Sequence, residues 1–201
     1  LMQLELPKEQ EEKLKYFSQE VIERNKQHNL TGHKDPTTFY NQQIVDCIVA
    51  YNACNKALEE HIVDCGSGAG LPSIVWAILN PEKKLYSTDK NEKKIQFQKN
   101  LIIKLNIKNI EINHSKIEEF ILKKPHTVVI KAFSSVAKTL EHLKDRQQQK
   151  NIIFLKKDDK KTAEELLEVP SLLYDYKKHQ YALSKEKMVA LELYDSKNSH
   201  N

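Results

Sequence analysis

Residues 62–72 read Ile62-Val63-Asp64-Cys65-Gly66-Ser67-Gly68-Ala69-Gly70-Leu71-Pro72, and this stretch decides the fold. The whole chain has four glycines, Gly32, Gly66, Gly68 and Gly70, and three of them fall within five residues here. A chain that avoids glycine elsewhere needs a special backbone at this point. Without a Cβ, a residue adopts positive φ freely and lets main chain approach a ligand closely. Upstream, His61 to Cys65 reads as a short buried strand; downstream, Leu71 to Leu79 reads as a helix ended by Pro81. In a doubly wound sheet such a turn lies at the carboxyl edge, where ligands bind. The spacing excludes two common loops. A dinucleotide fingerprint would place its third glycine where Leu71 stands, and the GxxxxGK of a phosphate-binding loop is absent. A glycine-rich turn that holds no ligand is the plain alternative.

Working outward, strand and helix patterns alternate. Leu85 to Thr88 predicts a strand, and Glu92 to Leu105 a helix with Ile95, Leu101, Ile102 and Leu105 inward. Asn109 to Asn113 predicts a strand, Ile117 to Leu122 a short helix, Thr127 to Lys131 a strand and Val136 to Lys144 a helix. Asn151 to Leu155 follows as a strand, and Ala163 to Glu168 as a helix closed by Pro170. The segments Tyr174 to Ala182 and Lys187 to Leu193, joined by Ser184-Lys185-Glu186, predict a terminal antiparallel hairpin. The fold class is therefore α/β: an open, mainly parallel, Rossmann-like sheet with helices on both faces. Before it, Leu14, Phe17, Val21 and Ile22 give Lys8 to His28 a helical stripe, with Gly32 available as a left-handed stop. Asp35-Pro36 reads as the cap and first turn of a second helix that buries Phe39, Ile44, Ile48 and Tyr51. Residues 1–58 form a helical extension and 59–201 a single α/β unit.

The 201 residues are 39% hydrophobic and 30% charged, proportions that exclude collagen-like, low-complexity and wholly disordered chains. No apolar run reaches the ~18 residues of a membrane span, and Leu1 to Glu12 is too acidic and polar for a signal peptide. Cys47, Cys54 and Cys65 are odd in number and form no CxxC pair, which fits a reduced, cytoplasmic setting. The eight histidines show no HxxxH or HxH spacing with a third ligand, so no metal is expected. Arginine occurs only at Arg24 and Arg146, leaving 30 of the 32 basic residues as lysines. Lysine attracts a polyanion as a point charge but lacks the fork that reads it.

The acid two residues before the first glycine makes the loop a DxGxGxG pattern, which resembles motif I of class I S-adenosylmethionine-dependent methyltransferases. Asp64 would then orient the loop, or meet the cationic amino-acid end of the cofactor through a water. Asp89, about 20 residues on at a strand end, sits where a carboxylate holds a ribose diol; capping the next helix with Asn91 is the plainer role. His114 to Phe120 would border the adenine, although Ser115 and Glu118 also spell a capping box. At the end of the fourth strand Lys131 and Phe133 suit a phosphate and a base, or else a solvated lysine and a core ring. Lys156 adds charge on the same edge.

Taken together, Asn25 to Thr31, Ile44-Val45-Asp46-Cys47, Val63 to Pro72, Asp89 with Lys90 to Lys94, Ser115 to Phe120, Lys131-Ala132-Phe133 and Leu155-Lys156 make the chain resemble a known family. It is the bacterial 16S ribosomal RNA methyltransferase G family, also called glucose-inhibited division protein B. The resemblance implies methylation of guanosine N7 in 16S rRNA, on naked RNA or the 30S subunit, by a monomer with S-adenosyl-L-methionine as donor. It implies cofactor contacts by Asp64, Gly66, Gly68, Leu71, Asp89, Ile117, Glu118 and Lys131, and nucleotide placement by Lys131, Phe133 and Lys156. No general base is implied, because N7 carries no proton. The chain departs from the family at Gln42-Gln43, usually arginine-histidine, at Lys131, usually arginine, and at Lys157, usually glycine. Those departures motivate a competing reading as a non-catalytic RNA-binding protein; methylation of a small molecule or a protein is a third.

Overall fold

The computed structural model describes residues 5–132, 134–143 and 148–198. The chain opens with helix α1, Lys8–His28, which buries Leu14, Phe17, Val21 and Ile22. Its left-handed stop is Asn29, at φ 50°, and not Gly32, which lies in none of the left-handed positions. An asparagine tolerates that conformation, and the Asn25 side chain steadies the turn by accepting from the Thr31 amide and donating to the His33 carbonyl. The second helix begins as expected: the Asp35 carboxylate accepts from the Thr38 amide at 2.8 Å and Pro36 fills the first turn. It runs as α2, Pro36–Phe39, a π-helical turn over Tyr40–Ile44, and α3, Val45–Cys54.

Seven strands follow: β1 His61–Cys65, β2 Lys84–Asp89, β3 Ile110–His114, β4 His126–Lys131, β5 Gln149–Lys157, β6 Tyr174–Leu183 and β7 Glu186–Asp195. Their order in the sheet is β3-β2-β1-β4-β5-β7-β6. β1 to β5 run parallel; β7 lies antiparallel to β5, and β6 antiparallel to β7. Helices α4 Ser73–Leu79, α5 Glu92–Lys104, α6 Val136–His142 and α7 Lys160–Leu167 make the connections. The short helix expected over Ile117 to Leu122 is absent: Ile117–Glu119 make one turn and the chain continues irregularly to β4. Too few residues remain before Pro125 to repay helix nucleation, and Ser115 makes no capping box, its hydroxyl donating to the Lys116 carbonyl instead.

Alternate residues of the central strands enter two cores, as the period of two requires. Ile62, Val129 and Ile153 join Phe17, Phe39, Ile48 and Trp76 on one face; Val63, Val128 and Ile152 join Val136, Leu140 and Leu191 on the other. The N-terminal helices are thus part of the core over the first face. Trp76, fully buried on α4, donates its indole N–H to the Cys47 carbonyl at 2.9 Å and packs edge-on against Tyr51. Cys47, Cys54 and Cys65 are buried free thiols, and burial pushes Cys54 and Cys65 up to about 12. Among the described residues no helix is long and apolar enough to cross a membrane.

Candidate active site

Strand order reverses between β1 and β4, and the glycine turn leaves β1 beside that switch point. Gly66, Gly68 and Gly70 all have positive φ, at 77°, 61° and 97°. The glycines answer two different needs. At Gly70 a Cβ would stand 2.4 Å from Ile74 Cδ1, so this glycine lets the turn close on α4. At Gly68 a Cβ would meet nothing within 4 Å: the main chain faces open space. The amides of Gly66 and Ser67 both donate to the Thr88 carbonyl, at 2.9 and 3.0 Å, and the Thr88 hydroxyl donates to the Asp64 carbonyl. The turn is therefore tied to the end of β2.

Asp89 completes that tie. One carboxylate oxygen accepts from the Gly68 amide at 2.9 Å, the other from the Asn91 amide at 2.8 Å, while the Asn91 side chain caps α5 by accepting from Lys94. The capping task thus falls to Asn91, and the Asp89 carboxylate is held at the edge of the cleft. Asp64 lies beneath, 1% exposed. Its Oδ2 accepts from the Ser73 amide at the head of α4, and its Oδ1 is buried without a partner. Burial pushes Asp64 up to about 7, against the Ser73 hydrogen bond and the attraction of Lys131. An orphaned buried carboxylate oxygen at the head of α4 is suited to a cation.

Leu71 donates its amide to the Ser67 carbonyl and packs its half-buried side chain on the core. Ile117 and Glu118 line a cavity of about 40 Å³ with Val63, Phe120 and Cys65, the residue that leads into the turn. The Glu118 carboxylate pairs with His142 Nδ1.

Across the switch point a larger cavity, about 320 Å³, opens between the ends of β4 and β5 and the head of α7. Lys131, Lys156, Lys157 and Lys161 line it together with Asp46 and Glu165. Lys131 donates to Gln43 Oε1 at 2.8 Å and pairs with Asp46 Oδ2 at 3.2 Å. Two positions at which the chain departs from the family it resembles, Gln43 and Lys131, therefore touch each other. Lys156 pairs with Glu165 at 2.7 Å, and Glu165 also accepts from the Val136 amide. This clasp joins α7 to α6 and leaves Lys156 partly committed to structure. Ala132, next to Lys131, holds φ 53°, a conformation that costs a non-glycine residue about 1–2 kcal/mol. Phe133 lies outside the described residues. No group of three or more His, Cys, Asp or Glu able to hold a metal occurs among the described residues.

Two residues central to this geometry escaped the sequence reading. Gln98, fully buried on α5, accepts from the Ser87 hydroxyl at 2.6 Å and donates to Ser67 Oγ and the Gly68 carbonyl at 2.9 and 2.8 Å. Its signal was an amide one helical turn from both Ile95 and Leu101, on the buried face of α5. Asp46 is an acid within the run Ile44-Val45-Asp46-Cys47-Ile48-Val49, and only 3% exposed.

Comparison with known proteins identifies the family and the fold. The family described as rRNA small subunit methyltransferase G matches residues 10–191. The Ribosomal RNA small subunit methyltransferase G of Brachyspira hyodysenteriae is 33% identical over 82% of this chain and 80% of its own length. Its namesake from Vibrio campbellii is 33% identical over 76% of this chain and 71% of its own length. Among solved structures, M. capricolum TrmK in complex with S-adenosyl-homocysteine shares the fold with a TM-score of 0.54 and 23% identity, covering 68% of this chain and 62% of that one. Sheet order, glycine turn and a match over nearly the whole length lead to one conclusion: the chain belongs to the rRNA small subunit methyltransferase G family.

Proposed function

We propose that this protein methylates N7 of a guanosine in the 16S rRNA of the small ribosomal subunit, with S-adenosylmethionine as donor. The observation that carries the reading is the open Gly68 main chain between two fixed carboxylates, Asp89 at the rim and Asp64 with a partnerless oxygen below. The cradle fits the donor, whose ribose offers a diol, whose sulfonium carries a positive charge and whose amino-acid end adds an ammonium beside its carboxylate. Asp89, oriented by two amides, still has lone pairs to accept from hydroxyls. Asp64 balances positive charge from beneath.

When bound, S-adenosylmethionine supplies a methyl group on a positively charged sulfur. The chain's task is placement. Guanine N7 is a free lone pair, so no side chain has to remove a proton, and alignment in such systems contributes about 7–11 kcal/mol. The lysine-lined cavity beyond β4 is the place for the nucleotide, with Lys131 at the boundary between the two halves.

Incubation with labelled donor and small ribosomal subunits, followed by mapping of 7-methylguanosine, tests the reading. Label is expected at one guanosine of the 16S rRNA. Binding to the particle without transfer would favour a non-catalytic role, and label on free metabolites or proteins alone would favour another acceptor.

A further inference from the structure

Asp46 is an anomaly in its own helix. It sits 3% exposed in α3, where Cys47, Ile48 and Ala50 are wholly buried. A carboxylate so placed costs several kcal/mol unless it is paired and hydrogen-bonded. Both oxygens are engaged: Oδ1 accepts from the Tyr181 hydroxyl of β6 at 2.9 Å, and Oδ2 faces the Lys131 ammonium at 3.2 Å. Gln43 takes a second donor of Lys131. The second helix, β4 and β6 thus meet at Asp46, at the end of β4.

Lys131 stands where its charge is a liability. β4 lies beside β1, whose end carries the glycine turn, and on the other flank of β1 the β2 end presents Asp89. A donor held by its ribose at Asp89 would have its sulfonium on the β1–β4 side, toward the Lys131 ammonium. Two like charges repel through the low-dielectric cleft wall. Burial opposes the charge on Lys131, yet Cys47, Asp46 and Asp64 together outweigh it and keep its proton bound above the ordinary lysine range; the cation does not escape by deprotonation.

We propose that Asp46 is a positioning residue which neutralises Lys131 at the donor end of the cleft, so that the site holds a cationic sulfonium and not only its neutral thioether product. The inference rests on the proposed function, and it makes a claim that packing alone does not: Asp46 acts on the charge difference between two otherwise near-identical ligands.

Calorimetric titration of the full chain with S-adenosylmethionine and with S-adenosylhomocysteine tests it, with thermal melts of each variant. Asp46→Asn is expected to lower donor affinity relative to product affinity about tenfold. Lys131→Met is expected to move the ratio the other way, and the double variant Asp46→Asn with Lys131→Met to restore the wild-type ratio. Equal losses for both ligands in Asp46→Asn would make Asp46 structural and overturn the proposal, as would an unchanged ratio. Should Asp46→Asn fail to fold, Lys131→Met and the double variant decide by the same ratio. A wild-type chain that binds neither ligand would overturn the donor reading and this inference with it; one that binds both with a ratio indifferent to these charges would overturn this inference alone.

Discussion

The two halves of the cleft are built from different materials. On the β1–β2 side the surface is main chain: three positive-φ glycines, with amides of residues 66, 67 and 68 tied to the Thr88 carbonyl and the Asp89 carboxylate. On the β4–β5 side the surface is long side chains held in two ion pairs, Lys131–Asp46 and Lys156–Glu165. Main chain fixed by hydrogen bonds is rigid, and a substitution in it either blocks the ligand or strains the turn. Ion pairs between lysines and carboxylates are adjustable, and here Gln43 shares Lys131 with Asp46. The lesson is that one half is set by backbone shape, which few residue types can adopt, and the other by the balance of side-chain charges; under the proposed function they are the donor half and the acceptor half.

The sharpest way to break that contrast is at the glycines. Gly68→Val places a side chain in open space, at φ 61°, with nothing to clash against. It is expected to cost about 1–2 kcal/mol of stability for the left-handed backbone, yet to weaken donor binding at least ~100-fold by filling the surface on which the ligand lies, a loss of about 3 kcal/mol or more. Gly70→Ala is the control. Its Cβ would overlap Ile74 and the alanine would be held at φ 97°, so overpacking of roughly 1–3 kcal/mol adds to backbone strain while the open face stays open. Titration calorimetry and thermal melts on both variants separate the two roles; if Gly68→Val binds the donor like the wild type, the main chain at that position is no ligand surface.

Next in size is Gln98. Replacing it with Leu keeps the volume and removes three hydrogen bonds to Ser87, Ser67 and the Gly68 carbonyl. At the lower end of the roughly 1–3 kcal/mol that each buried unpaired group costs, three groups cost about 3 kcal/mol, so a melting temperature lower by roughly 6–12 °C is expected for a chain of this length. Donor affinity should fall with it, because the Gly68 carbonyl loses its anchor. A variant as stable as the wild type would show that the donor half does not depend on α5.

These residues also mark how far a linear reading reaches. The strand positions, the hairpin and the glycine turn were legible because each depends on local periodicity or on a residue type that only one backbone shape explains. Asp64 and Asp89 were legible because they flank the turn at fixed spacing, one before it and one after. Gln98 and Asp46 were not, since their partners lie 11–31 and 85–135 residues away and only the sheet order brings them together. The helix expected over Ile117 to Leu122 failed for the opposite reason. Its local pattern was good, but the chain had to reach β4 within a few residues, and Glu118 turned to His142 instead of capping.

A moderate effect comes from pH. In the folded protein Asp64 is pushed up to about 7, from 3.8 when free, chiefly by burial. Between those two values the folded chain keeps a proton that the unfolded chain releases, so stability falls as pH rises from about 4 to about 7 and then levels off. Asp64→Asn, which stays neutral throughout, is expected to be more stable than wild type above pH 7, with the gap closing toward pH 4. Donor binding runs the other way. A cationic ligand favours the ionised carboxylate, so wild-type affinity should drop below pH 7 by up to about tenfold per unit, and the variant should lose that dependence. Melts and titrations across pH 4–8 read both trends; parallel trends would remove Asp64 from the binding site.

The smallest expected effect tests the acceptor half. Lys161 is exposed and lines the larger cavity beside Lys131 and Lys156, on the first turn of α7. As a point charge it contributes to a polyanion through counterion release and not through shape. Lys161→Gln should therefore leave donor affinity and melting temperature as they are, weaken binding to small-subunit RNA a few-fold, and lower the slope of log affinity against log salt by about one unit. Lys156→Met is a useful contrast, because Lys156 is paired with Glu165 at 2.7 Å and its loss leaves that buried carboxylate without its cation. It should cost stability as well as RNA affinity. If both lysines changed only the salt slope, the clasp between α6 and α7 would not be what shapes the cavity; if neither changed it, RNA would have to enter by another face, and the division of the cleft into a main-chain half and a side-chain half would lose its functional meaning.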